Sequence, residues 1–186
     1  MFQVRFHGRG GQGVVTAAEL LSLAAFIEGR HAQAIPSFGS ERMGAPVVAF
    51  CRIADGPIRT REPVLDPDAV VVGDATLRQH VDLTAGLVDG GCVLVNTSRP
   101  LAELGLADGG RRATVPATDL ARLHVGRPVP SAALLGGLAA LSGAVALDAV
   151  VEALRQRFPG PVGEGNVRAA VEGHRLVALV AAGRGG

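Results

Sequence analysis

The opening run Phe2-Gln3-Val4-Arg5-Phe6-His7-Gly8-Arg9-Gly10-Gly11-Gln12-Gly13 constrains this chain more than any other segment. Residues 2–7 alternate apolar and polar, as a strand does with one face on a core. Gly8, Gly10, Gly11 and Gly13 follow, and then Val14 to Glu28 sets Val14, Ala17, Ala18, Leu21, Ala24 and Ala25 at helical spacing, with Gly29 as a stop. Strand, glycine loop, helix is the unit this predicts. Residues without a Cβ let a backbone turn tightly and approach a ligand, and the free N–H groups of a helix start favour an anion. Gly8, Arg9, Gly10, Gly11, Gln12 and Gly13 are therefore candidate anion-binding residues, with Arg9 and Gln12 adding side-chain donors. The competing reading is a tight packing turn with no ligand.

The loop satisfies G-x-G-x-x-G, so a nicotinamide or flavin dinucleotide is one reading. That fingerprint also wants a carboxylate at the end of the second strand, roughly 20 residues on. Glu28 has the separation but falls at the helix end, and the next strand closes on Ala34-Ile35-Pro36-Ser37. The dinucleotide reading lacks its ribose partner.

Further along, His31 to Ile35, Val47 to Ile53, Ala69 to Gly73, Cys92 to Val95 and Arg112 to Val115 read as strands, the Val-rich ones as fully buried parallel strands. Helices are expected over Thr76–Val88, Ala132–Leu141, Ala146–Phe158 and Val167–Ala182, with Pro159-Gly160-Pro161 as a hard break. The alternation predicts an α/β domain of three layers, a largely parallel sheet with helices on both faces, and a helical C-terminal part. At 186 residues, one domain spanning 1–186 is expected. Ser37, Phe38, Gly39, Glu41, Arg42 and Gly44 form a polar, glycine-rich block after the second strand, and so a binding or interface loop. Asp74 and Asn96 also end strands, where they could face the same crevice, although helix capping is the favoured reading. His7 stands beside the glycine loop, but the five histidines show no metal-ligand spacing.

Composition removes several classes of function. All 18 basic residues are Arg, which excludes a Schiff-base lysine, a pyridoxal-phosphate anchor and the P-loop lysine. A net charge of +1 and the absence of Trp and Tyr argue against nucleic-acid binding. Val129 to Leu147 lacks charge, yet it is dominated by Ala and Gly and broken by Pro130, so a soluble helix is expected there rather than a membrane span. Cys51 and Cys92 are too few to hold an iron–sulfur cluster alone, and each reads as a buried, reduced core residue. With no signal peptide at the start, a cytoplasmic setting is expected.

Arg5 to Gly13, followed by Thr16-Ala17-Ala18 and Ala32-Gln33-Ala34, resembles the gamma subunit of the pyruvate and 2-oxoacid:ferredoxin oxidoreductase family. Ser37 to Pro46 and Ala49-Phe50-Cys51-Arg52-Ile53 continue the likeness, and Asn96-Thr97 and Leu135-Gly136-Gly137 extend it along the chain. Two departures stand out: Met43 follows Arg42 where the family often has a second arginine, and Pro130-Ser131 opens a helix where it often has Asn. The resemblance implies a non-catalytic subunit of a complex that decarboxylates a 2-oxoacid with coenzyme A, giving acyl-CoA, carbon dioxide and reduced ferredoxin. It implies coenzyme A near the glycine loop. It also implies thiamine diphosphate, Mg and [4Fe-4S] clusters on alpha, beta and cluster-bearing partner subunits. A free-standing Rossmann-like NAD(P)- or flavin-binding protein is the alternative, and an assembly subunit without any ligand is a third reading.

Overall fold

The computed structural model describes residues 1–36, 43–106 and 110–182. Six strands form one sheet: β1 (Phe2–Arg9), β2 (His31–Pro36), β3 (Pro46–Ala54), β4 (Ala69–Val72), β5 (Cys92–Asn96) and β6 (Arg111–Val115). Five helices accompany them: α1 (Val14–Ile27), α2 (Ala117–Val125), α3 (Ser131–Ser142), α4 (Leu147–Arg157) and α5 (Gly160–Ala182). The strand order is β2-β3-β1-β4-β5-β6. β1, β4, β5 and β6 are parallel, whereas β3 runs antiparallel to both β1 and β2. Every strand but β3 thus points the same way, as a largely parallel α/β sheet requires.

The two faces are covered differently. Alternation along β1 sends Val4 and Phe6 to one side, where they join Ala49, Cys51, Ile53, Val71 and Leu94 under the α-helices. Small residues let that layer pack closely. A Cβ on Gly136 of α3 would collide with the Ala170 carbonyl of α5, and one on Gly173 of α5 would collide with the Ala133 carbonyl of α3. On the opposite face Val70, Val72, Val93 and Val95 are sealed by Leu77, Leu83, Leu101 and Leu104. Those leucines come from two short 3₁₀ helices, Ala75–Gln79 and Leu101–Leu104, and the loops between strands. The second helical layer is therefore thin.

That thin layer is held by buried arginines. Arg5 and His7 of β1 and Arg52 of β3 are 9%, 6% and 3% exposed, so the polar face of β1 is as buried as its apolar one. Arg5 donates to the Leu83 and Ala85 carbonyls and Arg52 to those of Glu62 and Pro63, which fastens two irregular segments onto the sheet. Guanidinium groups, with donors in a rigid fork, do here what a helix would otherwise do.

Three expectations need correction. Only Ala75–Gln79 of the 76–88 segment is helical, because the Asp82 carboxylate accepts from the Thr84 N–H and hydroxyl and Gly86 takes a φ of +72°, which closes turns instead. α5 begins at Gly160, not Val167, since a proline costs nothing in a first helical turn, where its missing N–H has no partner to lose. α2 was not anticipated at all. Among the described residues no helix is long and apolar enough to cross a membrane; the 129–147 stretch holds α3, almost wholly buried.

Candidate active-site cleft at the glycine loop

β1 enters the loop and α1 leaves it, at the carboxyl ends of β1 and β4. Connections diverge at this point of the sheet, towards β2 and β3 on one side and β5 and β6 on the other, and open α/β sheets bind ligands in such a crevice. Gly11 and Gly13 have φ of +90° and +73°. Gly13 is the residue before α1, with no side-chain cap on the helix and no acidic residue in its first turn. The first helical hydrogen bond runs from the Ala17 N–H to the Gly13 carbonyl, 2.8 Å, so the N–H groups before it are without helical partners. They carry the positive end of the helix dipole. A cleft of about 410 Å³ lies here, lined by Arg9, Gly10, Gly11 and Thr16 together with Val15, Met43, Val47 and Val129.

The loop does not stand alone. The Gly10 N–H donates to the Ala45 carbonyl at 2.9 Å and the Gly44 N–H to the Gly10 carbonyl at 3.1 Å, so the chain just before β3 pairs with the glycine loop. Structure thus joins the first predicted block to Gly44 of the second. Ser37, Phe38, Gly39, Glu41 and Arg42 lie outside the described residues.

Arg9 borders the cleft, yet its side chain and that of Gln12 are both engaged by other groups of the protein. Arg9 Nε donates to Asp74 Oδ2 at 2.9 Å, Nη2 to the Thr76 hydroxyl at 2.9 Å and Nη1 to the Gly44 carbonyl at 3.1 Å. Gln12 Oε1 accepts from the Arg9 N–H at 2.8 Å, and Gln12 Nε2 donates to Asp74 Oδ2 at 3.4 Å. Asp74 Oδ1 accepts from the N–H and hydroxyl of Thr76. Partial burial pushes the Asp74 carboxyl up, but the Thr76 hydrogen bonds and then Arg9 outweigh it and hold the group below its ordinary value. Asp74 caps a 3₁₀ helix, as its position implied, and also ties down the glycine loop. An Asp closing a valine run and followed by Ala-Thr is the sequence signal for the first role; nothing local signals the second.

Asn96 and His7 support the same region. Asn96 Oδ1 accepts from the Thr118 N–H at 3.1 Å, while its amide donates to the Gly73 carbonyl at 2.8 Å and the Thr118 hydroxyl at 2.7 Å. The end of β5 thereby caps α2, whose own preceding residue, Pro116, offers no side-chain oxygen. His7 accepts from Arg5 Nε at Nε2, 3.0 Å, and its carbonyl receives the Gly73 N–H at 2.6 Å. Burial, and then the Arg5 charge, lower its pKa to about 4, so the ring is a neutral acceptor.

Three other chemistries find no footing among the described residues. Among the described residues no three His, Cys, Asp or Glu are placed to hold a metal. Burial pushes the Cys51 thiol up to about 12 and that of Cys92 to about 11, as befits core residues of β3 and β5. The dinucleotide fingerprint wants its carboxylate at the end of the strand that follows α1; that strand is β2, which lies behind β3 rather than beside β1 and ends on Pro36.

The chain is similar to known proteins over most of its length. Residues 3–176 match the family model described as pyruvate ferredoxin/flavodoxin oxidoreductase. The chain is 49% identical over 175 residues to the pyruvate/ketoisovalerate oxidoreductases common subunit gamma of Thermococcus kodakarensis, covering 92% of this chain and 95% of that one. It is 45% identical over 170 residues to the pyruvate synthase subunit PorC of Methanothermobacter marburgensis, covering 91% and 94%. The crystal structure of pyruvate oxidoreductase subunit PORC from Thermotoga maritima superposes with a TM-score of 0.83 at 37% identity, over 94% of this chain and 95% of that one.

Proposed function

Because the chain belongs to the pyruvate ferredoxin/flavodoxin oxidoreductase family as a gamma-type subunit, we propose that its glycine-loop cleft receives a phosphate group of coenzyme A during oxidative decarboxylation of a 2-oxoacid, with pyruvate the leading candidate. The observation that carries this reading is the uncapped first turn of α1, which opens on a cleft with no carboxylate in that turn. Backbone N–H groups and the helix dipole would hold the phosphate oxygens. Val15, Met43, Val47 and Val129 would shield part of the thioester-forming chain from water.

In this reading the whole chain acts as one gamma-type domain beside alpha and beta subunits carrying thiamine diphosphate and Mg, and beside a subunit carrying [4Fe-4S] clusters, in the cytoplasm. When bound on those partners, thiamine diphosphate would supply an electron sink for decarboxylation and the clusters would supply one-electron centres leading to ferredoxin. The Ser37, Phe38, Gly39, Glu41, Arg42 and Gly44 block, of which Gly44 pairs with Gly10, serves the active site or a subunit interface in this reading.

Thr16→Glu in the assembled complex tests the cleft. A carboxylate in the first turn favours the helix but repels a phosphate. The KM for coenzyme A should rise by about ten-fold or more, while the KM for the 2-oxoacid holds. Movement of the 2-oxoacid KM alone overturns the assignment, and no change in either leaves the chain as an assembly subunit.

A further inference from the structure

We propose that Asp74 is a positioning residue for the coenzyme A step, acting through Arg9. Arg9, a cation beside the loop, has its three donor nitrogens on Asp74, Thr76 and Gly44. It is a cross-tie. One end of the tie is the segment after β4, and the other is the chain before β3, which itself pairs with Gly10. Among the described residues Asp74 is the only carboxylate on that tie, and it also receives the Gln12 amide, so both polar side chains of the glycine loop converge on it. Gln12 in turn accepts from the Arg9 N–H, which closes the loop upon itself. The ion pair is partly buried, with 28% of the Arg9 side chain and 18% of the Asp74 side chain exposed. Such a pair is screened less than a surface one and fixes geometry better. The consequence is a division of labour: the guanidinium sets the shape of the loop, and the backbone N–H groups meet the anion.

This rests on the coenzyme A reading above, and a double-mutant cycle in the assembled complex separates the two. Asp74→Ala and Arg9→Ala should each raise the KM for coenzyme A by about ten-fold, with the 2-oxoacid KM held. Asp74→Asn, which keeps one of the two acceptor oxygens and can place it towards Arg9, should recover part of that loss. Combined, Asp74→Ala and Arg9→Ala should cost no more than either alone, because both cut the same tie. A carboxylate that merely caps its own 3₁₀ turn predicts additive losses, and additivity refutes the proposal. Should Asp74→Ala fail to assemble, the cycle run with Asp74→Asn and Arg9→Ala decides on the same criterion. If Thr16→Glu raises the coenzyme A KM and the Asp74 variants do not, only the positioning role falls. If Thr16→Glu leaves it untouched, the coenzyme A reading falls first.

Discussion

Gly136 of α3 faces the carbonyl of Ala170 on α5 so closely that no β-carbon fits between them. Gly173 repeats the arrangement from α5 towards the Ala133 carbonyl, and the two contacts set how near the helices lie. Leu135 and Leu138, each 1% exposed, are buried as a result. Apolar side chains of that size stabilise by roughly 1.5–3 kcal/mol each when removed from water.

Gly136→Ala should therefore destabilise the chain by about 3 kcal/mol, the cost of forcing a backbone apart in a packed layer. Gly56→Ala, where a Cβ would meet no atom within 4 Å, serves as the control and should change stability by less than about 0.5 kcal/mol. Urea unfolding midpoints of the two variants decide it; equal midpoints would mean α3 and α5 are not wedged at Gly136.

Asn96→Ala should cost about 2 kcal/mol, since it removes the cap of α2 and leaves the Gly73 carbonyl and Thr118 N–H without partners. Asn96→Asp keeps the acceptor for Thr118 but loses the donor to Gly73, and should fall between the two. Loss of amide protection confined to 117–120 in hydrogen exchange would identify the cap as the cause.

His7 predicts an acid limb. Its pKa falls from the usual 6.5 to about 4 in the folded chain. Between those values the unfolded chain takes up a proton that the folded chain refuses, so unfolding is favoured as pH falls. Stability is complete above pH 6.5 and declines towards pH 4, by about 3 kcal/mol in all. His7→Gln, which can still accept from Arg5, should flatten the decline in this window. An unchanged slope in that variant would assign the limb to other groups.

Cys51 and Cys92 should resist thiol reagents in the native chain at pH 8. With their thiols pushed to about 12 and 11, the thiolate is scarce, and both residues are buried. Both should react fully after unfolding in guanidinium. Rapid labelling of either one in the folded chain would show that the core opens there.

The sequence carries local features of this fold plainly and distant ones hardly at all. β1, the glycine loop and α1 are contiguous, so alternation, the glycine run and the helical spacing of Val14 to Ala25 each point to the same answer. The partner of Arg9 is 65 residues away, and no pattern near Arg9 names Asp74. The same holds for α2, whose cap comes from Asn96 across the sheet. Alternation put Arg5 and His7 opposite the apolar face of β1, but their burial depends on loops that Arg5 itself anchors. Over 76–88 helical composition lost to Asp82 and Gly86, because side-chain hydrogen bonds and a positive φ closed turns first.

The antiparallel placement of β3 has a consequence for synthesis. A nascent chain that ends before Pro46 already holds β1 and β2 joined by α1, yet they are not neighbours; a slot one strand wide separates them. Both strands then offer unpaired N–H and C=O groups into that slot. β3 fills it from the opposite direction, meeting β1 from Phe2↔Ile53 to Arg9↔Pro46 and β2 from His31↔Ala54 to Pro36↔Ala49. One nine-residue segment thus removes two aggregation-prone edges in a single zipping event. Until Pro46–Ala54 is in place, an extended apolar segment can compete for the slot that β3 is built to fill.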